Sequence, residues 1–225
     1  LCNKTATAMR IRQELGALAG KVKKNDVVYI HFSCHGQPFE DNNGDEKDGW
    51  DESLVPYDAT MVYQAGTYDG KNHIIDDELH TYLQKIRAAV GKNGYVCVVI
   101  DACHAGSSFR GEDEEDEPVA RGTTRGFSLN SKLYHPRIDA SGNYSIADTK
   151  DYGHIIILEA CRSYQTNYEI KKDGKYYGPL SYYVHQVLKV KPKMNTLDWV
   201  LEVKRKMDAD SRLVRQNMVY ETSIK

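Results

Sequence analysis

Apolar residues recur at Ala8, Ile11, Leu15 and Leu18, the spacing of one helical face, so residues 6–19 predict a helix. Asn25-Asp26 breaks that pattern. "VVYIHF" (27–32) is β-branched and aromatic and predicts a buried strand. Residues 37–73 read as loop-rich, with Gly44, Gly49, Pro56, Gly66 and Gly70. From Asp76 to Val90 helical spacing returns, with Leu79, Tyr82, Leu83, Ile86 and Val90 on one face, and Gly91 and Gly94 end it. "YVCVVI" (95–100) and "HIIILEA" (154–160) predict two more buried strands. Leu180 to Val190 and Leu197 to Met207 predict two later helices, the second with Thr196 as its N-cap. "MVYET" (218–222) alternates and predicts a last edge strand.

Strands that are apolar throughout and separated by helices imply an α/β fold: a mostly parallel sheet covered on both faces. With 225 residues the chain suits one large domain or two small ones. Between the second and third strands lies a long irregular segment, residues 107–152, read as a loop or linker. It holds six consecutive acids, Glu112 to Glu117, which repel one another and stay solvated.

The net charge of −2 argues against a nucleic-acid partner. No run of about 18 apolar residues occurs, so no membrane span is expected. Five cysteines without framework spacing argue against a disulfide scaffold and leave at least one free thiol.

Two of the strands run straight into a Cys-His pair, Cys34-His35 and Cys103-His104. A thiol nucleophile needs its base within hydrogen-bond reach. Neighbours on an extended chain point to opposite faces, so neither pair is a good dyad by itself. Both pairs follow the carboxyl ends of strands that are consecutive in a parallel sheet, where α/β proteins bind ligands. The productive pair therefore takes one member from each segment. Gly36 and Gly106 make both turns permissive to a close substrate backbone.

"HFSCHGQ", followed by "DNNGDEKDGWDESLVPYDA", and "DACHAG" resemble the two active-site motifs of the caspase-fold cysteine peptidases (clan CD, family C14), most closely the metacaspases. "LEACRSYQTNYE" and "GPLSYYVHQVL" extend the resemblance over most of the chain. It implies a single caspase-like peptidase domain over residues 1–225, a three-layer sandwich with a mostly parallel central sheet. It also implies a cysteine endopeptidase with Cys103 as nucleophile and His35 as general base. Cys34 stands where the family usually has glycine, and it and His104 receive no catalytic role. The amides of Gly36 and Cys103 are the expected oxyanion donors.

A carboxylate at Asp101, two residues before the nucleophile, suits a cationic substrate side chain. In metacaspases the matching Asp binds the basic residue N-terminal to the cut together with a Ser matching Ser33. The resemblance therefore implies peptide or protein substrates cleaved after Arg or Lys. Arg110, Arg121 and Arg125 fall in the long segment, expected to be exposed and flexible, and are candidate self-cleavage sites.

Seven of residues 40–52 are acidic. Asp41, Asn43, Asp45 and Glu52 fit EF-hand positions 1, 3, 5 and 12, but Glu46 replaces the turn glycine and flanking helices are not evident, so an EF-hand is rejected. The chemistry requires no cofactor. The resemblance implies a possible calcium ion on Asp51, Asp76 and Asp77, with a fourth family ligand replaced by Arg110. Asp76 and Asp77 also make sense as acids at a helix N-terminus.

Family domains begin with a strand and helix that are not matched here. The expected partner is accordingly a separate N-terminal fragment of the same protein. Two other classes are weighed: a catalytically idle caspase-like scaffold that binds partners through the acidic loop, and a zinc site from Cys34, His35, Cys103 and His104, whose spacing lacks paired-ligand motifs. The compartment is left open.

Overall fold

The structure is a computed structural model that describes residues 1–103, 119–123, 125–138, 146, 149–191 and 195–224. Its centre is a four-stranded sheet. β1 (Val27–Ser33), β5 (Tyr95–Asp101) and β6 (His154–Glu159) pair in parallel, and β9 (Val219–Thr222) pairs antiparallel with β6 at the far edge. β1 forms the other edge.

Four α-helices among the described residues cover this sheet: α1 (Ala8–Lys21), α2 (Asp76–Val90), α3 (Pro179–Val190) and α4 (Thr196–Asp208). Residue parity along the strands explains the layers. Val96, Val98 and Ile100 of β5 join Ile155 and Ile157 of β6 under Leu15 of α1 and Leu79, Leu83, Ile86 and Val90 of α2. Cys97 and Val99 join Ile156 and Leu158 on the opposite face, under Leu180, Val184 and Val187 of α3 and Trp199, Val200 and Val203 of α4. Both faces of the central strands are buried, which is why they read as unbroken apolar runs. The result is the expected three-layer α/β sandwich.

Two features differ from expectation. Residues 37–73 are not simply loop. β2 (His35–Glu40), β3 (Trp50–Val55) and β4 (Ile74–Ile75) make a second, antiparallel sheet in the order β2-β3-β4. Its strands are short and interrupted by glycines, so they lack a period long enough to read. A further hairpin pairs β7 (Ile170–Lys172) with β8 (Lys175–Tyr177) through Asp173-Gly174, both at positive φ. Second, the N-cap of α4 is Asn195, whose side chain accepts from the Asp198 amide, not Thr196. Either residue type can cap, and the helix starts one residue earlier than its first apolar position suggests.

Among the described residues no helix is long and apolar enough to cross a membrane.

Leu83 is 2% exposed in the core beneath α2. Leu83→Ala should lose about 2–5 kcal/mol of stability in chemical denaturation. A loss below about 1 kcal/mol would show that this layer is not a packed core.

Candidate active site

The parallel register brings the ends of β1 and β5 level, with Ser33 opposite Asp101. The two Cys-His segments leave the sheet side by side, and the Cys34 amide donates to the Asp101 carbonyl at 3.4 Å. Cys34 packs against the core, and burial pushes its thiol up to about 12. His35 points the other way and is exposed at the start of β2. Cys103 is fully buried, and its thiol donates to the Gln165 carbonyl at 3.1 Å. Cys161 reaches the same carbonyl at 3.4 Å. A hydrogen bond with Cys103, then burial, hold the Cys161 thiol well above its ordinary range. His104 and Gly106 lie outside the described residues.

Residues 119–122 cross the mouth between these segments in an extended course. On one side the Glu169 amide donates to the Val119 carbonyl at 2.7 Å and the Arg121 amide to the Asn167 carbonyl at 2.9 Å. On the other, the Gly36 amide donates to the Arg121 carbonyl at 3.1 Å. Further along, Phe127 exchanges backbone bonds with Pro38 and Glu40, and its ring stacks on Phe39 at 5.1 Å. The segment thus satisfies its backbone by adding itself between β2 and the 167–169 stretch. At Gly122 a Cβ would meet the Cys103 carbonyl oxygen at 2.0 Å and the Cys103 Cβ at 3.0 Å. Only glycine allows the chain to lie this close over Cys103.

The Arg121 side chain enters the crevice beyond the strand ends. Nη2 donates to Ser33 Oγ at 2.7 Å, Nη1 to Glu169 Oε1 at 2.9 Å, and Nε to the Asp101 carbonyl at 3.2 Å. Nε also lies 3.6 Å from Asp101 Oδ1. Asp101 is fully buried. Its Oδ1 accepts from Asn167 Nδ2 at 2.8 Å, and its Oδ2 from the Ser181 amide in the first turn of α3 at 2.8 Å. Helix N-termini carry unpaired amides and favour anions. Gln216 in turn donates to Asn167 Oδ1 at 3.0 Å and fixes that amide.

With Gly122 lying against Cys103, the structure gathers Ser33, Asp101 and Gly36 around one residue, Arg121. That residue was expected in exposed sequence and is instead 8% exposed. Composition marked its surroundings as solvated, but three hydrogen bonds and two carboxylates draw the guanidinium in. Arg125 is exposed as expected, while Arg110 and the six acids lie outside the described residues. Sequence reading gave no role to Glu169 or Asn167. Their signal was positional: they follow the carboxyl end of the third parallel strand, at the same edge as both Cys-His pairs.

The acids named for calcium sit elsewhere, between β3 and α2. Asp51 is 4% exposed, and burial, then Asp41 and Asp77, push its carboxyl up to about 7. Asp76 Oδ1 is buried without a partner, and burial, then Asp51 and Asp77, push this carboxyl up to about 8. Asp77 Oδ2 accepts from Asn43 Nδ2 at 2.6 Å. The carboxylates whose oxygens converge within 4.8 Å are Asp41, Asp45 and Asp51. Of these three only Asp51 is buried; Asp45 is exposed. Among the described residues, Cys34, His35 and Cys103 form no converging ligand group.

Residues 1–110 match the family model described as "Metacaspase, peptidase C14 domain". Metacaspase-1 of Eremothecium gossypii is 35% identical over 103 residues, covering 46% of this chain and 20% of that protein. Metacaspase-1 of Schizosaccharomyces pombe is 24% identical over 217 residues, covering 80% of this chain and 46% of that protein. These matches support a caspase-fold C14 family assignment. Across almost its whole length the chain shares its fold with protein GSU0716 of Geobacter sulfurreducens. That crystal structure has a TM-score of 0.61 and 22% identity, and the match covers 99% of this chain and 75% of that one. The chain spans about a fifth to a half of the length of these curated relatives. His35 and Cys103 fall inside the family match, whereas Asn167 and Glu169 fall beyond its end.

Gly122→Ala should expel the 119–122 segment, because its new Cβ has no room over Cys103. Alkylation of Cys103 by iodoacetamide, followed by peptide mass spectrometry, should then speed up about tenfold or more, the effect of roughly 1.4 kcal/mol on the covering equilibrium. An unchanged rate would mean that the segment does not guard the thiol.

Proposed function

We propose that the chain is a cysteine endopeptidase that cleaves after Arg or Lys, and that Arg121 is its own first basic occupant. The observation that carries this reading is the Arg121 guanidinium, held by Ser33, Asp101 and Glu169, with its peptide link to Gly122 lying over Cys103. A substrate arginine bound in the same way would point its carbonyl at the Gly36 amide. Two acids and a hydroxyl suit a guanidinium or ammonium and repel an acidic side chain.

In the proposed chemistry Cys103 is the nucleophile and His35 its base. An ordinary thiol is only a few per cent ionised at neutral pH, so a base must assist. His35 takes the thiol proton while the Cys103 sulfur bonds to the carbonyl carbon. The amides of Gly36 and Cys103 receive the oxyanion. The C–N bond then breaks, His35 returns the proton to the leaving amine, and a thioester remains on Cys103. Water deprotonated by His35 adds to the thioester, and the sulfur leaves to complete hydrolysis. For the first round Cys103 must give up its hydrogen bond to the Gln165 carbonyl.

Glu169 is assigned as a specificity residue on the same observation. Its bond to the guanidinium is charge-assisted and partly exposed. Glu169→Gln should lower kcat/KM for arginyl peptides roughly ten- to a hundredfold, the range for one hydrogen bond to a charged group. Fluorogenic peptides ending in Arg, Lys or Asp should be compared on wild type, Glu169→Gln and Cys103→Ala. Arg and Lys peptides should be cut and Asp peptides spared, with no turnover by Cys103→Ala. A preference for Asp, or intact turnover without the Cys103 sulfur, would overturn the proposal.

A further inference from the structure

Cys161 lies beside Cys103, and the proposed peptidase chemistry does not use it. β5 and β6 pair in parallel with Ile100 opposite Glu159, and Cys103 and Cys161 each stand two residues past the ends of these strands. Both are buried. Both thiols donate to one oxygen, the Gln165 carbonyl, at 3.1 and 3.4 Å. They are also hydrogen-bonded to each other. Gln165 is held in turn. Its amide donates to the Arg162 carbonyl at 2.9 Å, and its Oε1 accepts from the Arg162 and Asn217 amides at 3.2 and 2.9 Å. Its Nε2 donates to Asn217 Oδ1 at 2.8 Å. The carbonyl that gathers the two sulfurs is therefore fixed.

Two thiols in this arrangement stand one oxidation from a disulfide. Neighbouring strands run about 4.8 Å apart, inside the ~4.4–6.8 Å between Cα atoms that a disulfide spans. Closing hydrogen-bonded sulfurs to the ~2.0 Å of an S–S bond then needs side-chain rotation, not movement of strands. The other thiols are placed elsewhere. Cys34 packs into the layer under α1 and α2, Cys97 lies inside β5, and Cys2 is exposed ahead of α1.

We propose that Cys103 and Cys161 form a reversible disulfide when the chain meets a peroxide, and that Cys161 thereby protects the Cys103 sulfur from further oxidation. Peroxide is little larger than water and needs only a brief lifting of residues 119–122 to reach Cys103. The Cys103 sulfur attacks one peroxide oxygen, the O–O bond breaks, and hydroxide leaves with the thiol proton as water, giving a sulfenic acid. The Cys161 sulfur then bonds to the Cys103 sulfur, the S–O bond breaks, and the hydroxyl leaves with the Cys161 proton as a second water. The hydrogen bond with Cys103, then burial, keep the Cys161 thiol protonated, which suits it to supply that proton. Two thiols are oxidised and one peroxide is reduced to two waters. A dithiol reverses the link by exchange, whereas a sulfenic acid without a neighbouring thiol goes on to the irreversible sulfinic acid. The link needs only the two thiols; its effect on turnover rests on the peptidase reading.

The test treats the full wild-type chain with hydrogen peroxide, alkylates the remaining thiols with iodoacetamide in denaturant, and maps unreduced peptides by mass spectrometry. A Cys103–Cys161 linked pair is expected, lighter than its two peptides by two hydrogen atoms and lost on treatment with dithiothreitol. Cys161→Ala, checked for its fold by circular dichroism, should give a Cys103 sulfenic acid that dimedone traps and that otherwise ends as sulfinic acid. After peroxide, dithiothreitol should restore cleavage of arginyl peptides in wild type and fail to restore it in Cys161→Ala. Wild-type Cys103 recovered unlinked, whether alkylated or as sulfinic acid, or linked to a different cysteine, overturns the proposal. Equal recovery of the two proteins overturns the protective role. A linked pair in a chain that cuts no arginyl peptide upholds the link and removes only the peptidase reading.

Discussion

The structure turns on one buried charge. Asp101 sits at the end of a central strand with no exposure. Its carboxylate is held by an amide side chain, by the first turn of α3 and by a guanidinium 3.6 Å away. An anion in such a place must be compensated, and leaving one uncompensated costs about 3–5 kcal/mol. Everything near it serves that requirement. The β1–β5 register sets Ser33 opposite, Gln216 orients Asn167, and Gly178 leaves room where a Cβ would stand 2.1 Å from Asp101 Oδ2. Glu169 adds a second carboxylate for the same cation.

From this follows the tension in the crevice. The pocket needs a cation, and the chain supplies Arg121 together with a backbone that pairs on both sides. In the proposed reading a substrate must displace a tethered competitor, or the competitor must itself be consumed. Displacement breaks the backbone bonds of residues 119–122 as well as the guanidinium contacts. Cleavage after Arg121 would need only the chemistry of Cys103 and His35. In the proposed reading the first turnover converts a covered crevice into an open one.

Much of the fold was legible. α2 was read with its observed bounds, because an apolar face and terminal glycines agreed. β5 and β6 were read from apolar runs, because both of their faces are buried; β1, expected buried throughout, is an edge strand that buries Val28 and Ile30 and exposes Val27 and Tyr29. The β2-β3-β4 sheet was not, because short strands among glycines and acids leave no period to detect. In the site, Cys103, His35, Asp101 and Ser33 were legible as motif positions at adjacent strand ends. Arg121 was misjudged as exposed, and Glu169 and Asn167 were passed over, for one reason. Their partners are remote in sequence, and local composition carries no trace of a long-range pairing. The acidic loop shows the converse: its spacing was noticed, but only the three-dimensional course of β3 brings Asp51 in with Asp41 and Asp45.

The most direct test of the central claim is where the chain cuts itself. Purified wild-type chain should be incubated and followed by intact mass and N-terminal sequencing, with Cys103→Ala and Arg121→Ala alongside. The account predicts a new N-terminus at Gly122 in wild type and no such fragment in either variant. A chain that cleaves arginyl peptides yet remains uncut at Arg121–Gly122, or that shows the same cut with Cys103 replaced, would contradict it.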